Sequence, residues 1–110
     1  MHELSITESI VDAVVQKVDG SRVRRVTLVI GRLSGIVGDS VRFCFELCTQ
    51  GTALEGAELE IIDVPGRALC LTCHAEVELP DLIPLCPCGS AQVEIVGGQE
   101  LTIKQVEVVV

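Results

Sequence analysis

The sequence predicts an α+β fold: two helices packed on a small β-sheet, a cysteine-bearing lobe inserted late in the chain, and a C-terminal strand returning to the first sheet. Three observations predict it. Apolar residues recur at helical spacing in two segments, near 5–18 and 39–50. They alternate with a period of two in three others, near 23–33, 57–64 and 100–110. Between Pro65-Gly66 and Gly97-Gly98 the periodicity fades, while four of the six cysteines and three of the four prolines concentrate there. These changes divide the chain into residues 1–65 plus 99–110 as one domain and 66–98 as an inserted second domain.

Each element has its own signals. Ser5 and Glu8 have the spacing of a capping box, in which hydroxyl and carboxylate satisfy each other's backbone donors. Ile6, Ile10, Ala13 and Val14 then form one face, with Val11 and Val18 at its margins, and Gly20 ends the helix. Met1 to Leu4 precede this cap, with room for a short strand. In the first strand Val26, Leu28 and Ile30 alternate with Thr27 and Val29. Gly31, Gly35 and Gly38 mark the loop beyond it. Asp39 or Ser40 is a good N-cap for the second helix, and Gly51 follows its end at Gln50. Val41, Cys44, Phe45 and Cys48 make a single stripe on that helix. The last strand carries Leu101, Ile103, Val106 and Val108, with a break in phase near Gln105. No internal repeat or low-complexity segment is present.

Size and charge narrow the function. A chain of 110 residues has room for one core, or for a small core plus a stapled lobe. Only Phe43 and Phe45 are aromatic, which leaves little surface for stacking a base or a sugar. Sixteen acidic against eight basic residues give a formal net charge of −8. Such a field repels phosphate backbones and anionic membranes, which excludes nucleic acid as a natural partner. It suits cations, or a basic patch on another protein. Residues 1–20 lack a basic start followed by an unbroken apolar run, as a secretory leader would have. No stretch approaches the roughly 20 apolar residues of a membrane span. A cytoplasmic location is expected, and there thiols stay reduced. The apolar end Val108 to Val110 is compatible with a monomer or a weak homodimer.

The cysteines carry the strongest chemical signal. Cys70-Leu-Thr-Cys73, twelve residues, then Cys86-Pro-Cys88-Gly89 is close to the pattern of a zinc ribbon. Two short pairs on tight turns can bring four thiolates to the corners of a tetrahedron about Zn²⁺. A lobe of about 30 residues has too little apolar surface to fold unaided, so the metal contributes much of its folding energy. Disulfides conflict with a reducing compartment. Buried structural thiols do not account for four cysteines in a core-poor segment, and a redox dithiol at Cys70 and Cys73 lacks a helix N-terminus. The second pair is Cys-x-Cys rather than Cys-x-x-Cys, so its turn is tighter, and His74 beside Cys73 is the candidate replacement ligand. Cys44 and Cys48, one turn apart on an apolar stripe, read as buried core thiols.

The N-terminus offers a second set of donors. A lone His2 is ordinarily a solvated terminal residue. A bulky second residue keeps the initiator Met1, however, and so leaves an α-amine beside it. The Met1 amine, the His2 backbone nitrogen and the His2 imidazole can close fused chelate rings around one ion. A planar nitrogen set suits Ni²⁺ or Cu²⁺ better than tetrahedral Zn²⁺. No phosphate loop, nucleophile elbow or acid–base constellation is present, and four thiolates leave zinc no open position. An enzyme is not expected.

Met-His-Glu-Leu-Ser at the start, the Arg-Val-Thr-Leu-Val-Ile-Gly strand, the Phe-Cys-Phe-Glu segment and the two cysteine pairs occur in that order. Together they resemble the HypA/HybF family of nickel metallochaperones, over essentially the whole chain. The resemblance implies an N-terminal domain that binds nickel through His2 and adjoining groups, with Glu3 as a helper. It implies a structural zinc domain held by Cys70, Cys73, Cys86 and Cys88. It also implies transfer of Ni²⁺ to the large subunit of [NiFe]-hydrogenase with a HypB-type GTPase, some members serving urease as well. The alternative is a zinc-ribbon adaptor with no nickel site, which would take up no second metal once zinc is full.

Overall fold

The computed structural model describes residues 2–79 and 83–110, with His2 as backbone only. Helix α1 spans His2–Val18, strand β1 Val23–Gly31, helix α2 Gly38–Cys48 and strand β2 Glu58–Val64. Strands β3 (Gly66–Cys70), β4 (Glu76–Leu79), β5 (Val93–Gly97) and β6 (Leu101–Val108) complete the chain. A single 3₁₀ turn at Arg32–Ser34 follows β1.

Helix α1 starts earlier than its capping signal. Residues 2–4 are already helical, so neither a short strand there nor the Ser5–Glu8 capping box forms. The Ser5 carbonyl instead accepts the Ser9 hydroxyl at 3.1 Å, inside the helix. Glu3 makes this extension favourable, because a carboxylate in the first turn meets the positive end of the helix dipole. The buried arc is also rotated from the expected face. Val11 is buried beside Ile10 and Val14, while Ala13 is exposed.

Helix α2 is capped by Val37, which supplies no side-chain hydrogen bond. Asp39 and Ser40 therefore lie in its first turn and not at the N-cap. The helix ends at Cys48, followed by a Thr49 amide bonded to the Phe45 carbonyl. Val41 and Phe45 are buried as the stripe requires, but Cys44 and Cys48 are only half-buried.

The first sheet has strand order β2-β1-β6, with β1 parallel to β2 and antiparallel to β6. A parallel pair needs a crossover, and α2 provides it between β1 and β2. Helices α1 and α2 pack on one another and share a core with Val26, Leu28 and Ile30 of β1. The central strand is buried on both faces for part of its length, since Thr27 is also buried and donates to Glu60 Oε1 at 3.0 Å. On β6, Thr27 faces Gln105 while Leu28 faces Ile103, so Lys104 is an extra residue in the ladder. This bulge is the phase break expected near Gln105.

The segment between the first sheet's strands forms its own antiparallel sheet, β4-β3-β5. The C-terminal strand then returns to the first sheet, as expected. The crossing between the sheets is tight. The Leu33 amide donates to the Gly98 carbonyl at 2.7 Å and the Gly31 amide to the Glu100 carbonyl at 2.8 Å. A Cβ on Gly31 would lie 2.1 Å from the Gly98 oxygen, so only glycine allows this approach.

Candidate metal centre

The site is built by two turns. After β3, the chain reverses through Leu71 to Cys73, and the Cys73 amide points back at Cys70 Sγ, 3.4 Å away. The His74 amide bonds to the Cys70 carbonyl at 2.9 Å, with His74 itself at φ +62°. The Cys86 turn closes through Gly89, whose amide donates to the Cys86 carbonyl at 2.8 Å and whose φ is +96°. The Thr72 and Ser90 hydroxyls, 2.8 Å apart, link one turn to the other.

These turns bring together all four sulfurs of Cys70, Cys73, Cys86 and Cys88, within 4.8 Å of one another. Cys70 to Cys88 and Cys73 to Cys86 are each 3.7 Å apart. A tetrahedron of thiolates at about 2.3 Å from zinc has edges of about 3.8 Å, so the donor set fits that ion. The distance also excludes S–S bonds, and all six cysteines are free. Cys70 and Cys86 are buried and Cys73 and Cys88 exposed, so the cluster sits at the lobe's surface with one side closed. His74 is exposed and stands outside this group. Among the described residues, no other group of three or more metal-ligating side chains gathers.

Without metal, the sulfurs differ in acidity. The Cys73 backbone N–H foremost, then that of Thr72 and the neighbouring sulfurs, lowers the Cys70 thiol to about 6 despite its burial. Cys86 receives the Cys88 N–H, which works in the same direction. Burial and the adjoining sulfurs outweigh it and push Cys86 up to about 12. The tight Cys86-Pro87-Cys88 turn thus still supplies one backbone donor. Cys48 is raised by burial first and then by Glu8, Cys44 and Asp12, which keeps it a protonated helix thiol.

The N-terminal donors are only partly in view. Met1 and the His2 side chain lie outside the described residues. Glu3 is half-buried, and its carboxylate accepts the Val37 amide at 3.5 Å, which ties the start of α1 to the start of α2. No sequence signal pointed to that link, because it joins residues 34 positions apart.

The described helices are none of them long and apolar enough to cross a membrane. Comparison with known proteins places the whole chain. Residues 1–108 match the family model described as hydrogenase/urease nickel incorporation, metallochaperone, HypA. A hydrogenase maturation factor HypA from Trichormus variabilis is 50% identical over 108 residues, covering 98% of this chain and 96% of that protein. Another, from Rippkaea orientalis, is 52% identical over 109 residues, covering 98% and 96%. The solution structure of the Ni metallochaperone HypA from Helicobacter pylori matches with a TM-score of 0.62 at 22% identity, covering 96% of each chain, and shares the fold. The chain therefore belongs to the HypA family of nickel-incorporation metallochaperones.

Proposed function

We propose that this chain binds Ni²⁺ at its N-terminus and delivers it during maturation of [NiFe]-hydrogenase, and of urease where the cell makes one. The nickel donors are the Met1 amine and the His2 backbone and imidazole nitrogens, with Glu3 as an acidic neighbour. Cys70, Cys73, Cys86 and Cys88 hold a structural zinc in a domain of residues 66–98, set within a nickel domain of 1–65 and 99–110. A HypB-type GTPase partners it in the cytoplasm and the hydrogenase large subunit receives the metal. The observation that carries this reading is the family match, which includes residues 1 to 3. Helix α1 adds physical support. It begins at His2, and the first amides of a helix have no intrahelical acceptor. Replacing the His2 amide proton by nickel therefore breaks no helix hydrogen bond.

Titration calorimetry of nickel into zinc-loaded protein tests the reading. The protein is compared untagged, with an N-terminal extension, and as His2→Ala. Untagged protein is expected to bind one nickel, and both altered forms to lose it while zinc content and helix signal stay normal. Undiminished affinity in His2→Ala would sink the nickel site and favour the zinc-ribbon adaptor. Undiminished affinity in the extended form alone would retain His2 and remove the free amine.

A further inference from the structure

Lys17 and Lys104 are the only lysines of this acidic chain, and they line one groove. The groove runs between α1 and β6, has a volume of about 480 Å³, and is floored by Val14, Val18, Ile103 and Val106. A second hollow of about 320 Å³, between Ile10 and Leu101, continues it along the same seam. Among the described residues neither lysine has a carboxylate in ion-pair reach.

The groove exists because β6 is an edge strand. Among the described residues no strand pairs with its outer side, and Leu101, Ile103 and Val106 are only half-buried. The sheet thus extends past the helix that should cover it, leaving a ledge of backbone donors and acceptors over apolar side chains. An added strand satisfies both at once. The two ammonium groups fix its chemistry, since they supply positive charge on a molecule of net charge −8. A second copy of β6 fits poorly, because antiparallel pairing centred on the bulge would oppose Lys104 to Lys104.

We propose that the α1–β6 groove is a docking site for an extended partner segment whose groove-facing positions, every second residue, carry both aliphatic and acidic side chains. The segment adds to the β6 edge, and on its groove-facing side the aliphatic residues fill the seam while the carboxylates meet Lys17 and Lys104. This site is independent of the nickel reading and lies on residues that reading does not use.

The test is fluorescence anisotropy of the full zinc-loaded chain with a labelled decapeptide that carries valine and glutamate in turn at every second position and threonine between them, so that both types share one face. Saturable binding that weakens with salt is expected, and it should weaken about tenfold or more in Lys17→Glu/Lys104→Glu. Both lysines are exposed, so the variant's circular dichroism and zinc content should match the parent's. A valine–lysine peptide, or the acidic peptide N-methylated at alternate amides, should fail to compete. Absence of saturable binding would overturn the proposal, as would equal binding of the lysine peptide, the N-methylated peptide or the charge-reversed protein. Sedimentation showing a dimer of the free chain that the peptide dissociates would place a second copy in the groove and overturn the heterologous occupant.

Discussion

A thiol lowered to about 6 and another pushed up to about 12 in one cluster mean that the metal-free site is a mixture of thiolate and thiol at pH 7. Zinc takes thiolates, so loading must expel the proton of Cys86. Apparent zinc affinity should therefore rise with pH through the neutral range. Below about 6 it should fall more steeply, because the Cys70 proton must then be displaced as well. Calorimetry in buffers of different ionisation enthalpy counts the protons, and at least one per zinc is expected at pH 7; none would contradict the assignment. Cys70→Ala should lose zinc outright by elemental analysis, and Cys88→Ala less completely if His74 can swing in. These four residues were legible from spacing because a ligand set is a local pattern of two pairs. The Glu3 carboxylate at the Val37 amide was not, because it depends on how two helices meet.

At the scale of elements, close backbone approach makes a prediction that conformational preference alone does not. Gly98 has φ +93°, and a Cβ there would lie 2.5 Å from Gly66 Cα; Gly20 has φ +88° but open space around it. Gly20→Ala should cost about 1 kcal/mol, the left-handed penalty alone. Gly98→Ala adds a backbone collision and should cost about 3 kcal/mol. Urea melts of the two variants check the difference, and equal costs would show that the crossing opens freely. The sequence's periodicities revealed both helices, β1, β2 and the bulged β6, since each turns a patterned apolar face to the common core. Helix starts were misread where a formal capping residue lay one or several positions inside the true end, as at Ser5 and Asp39. Strands β3, β4 and β5 escaped notice for another reason. They are four or five residues long, and their pairing is set by the cysteine turns rather than by an apolar face.

Over the whole molecule, the two sheets do not share a core. The apolar cluster that holds α1, α2 and the first sheet draws on residues from Ile6 to Ile61 and from Leu101 to Val106, with none from the second sheet. Among the described residues, the buried apolar side chains of the second sheet and its turns are Ala68, Leu79, Cys70 and Cys86. Two of these four are candidate ligands, so without metal the lobe retains one alanine and one leucine to offset the ordering of its chain. That is too little for a stable fold. The cluster beneath α1, α2 and the first sheet has no such dependence, because it is continuous and, among the described residues, no group of metal-ligating side chains gathers in it. Removing zinc with a chelator should therefore unfold the lobe and leave the helices standing. Far-UV circular dichroism should keep its helical bands while amide exchange in β3, β4 and β5 becomes fast and that in β1 stays slow. Restoring zinc should recover protection without refolding the helices. Simultaneous loss of helix signal and β1 protection would show instead that the crossing at Gly31, Gly66 and Gly98 couples the two sheets into one cooperative unit.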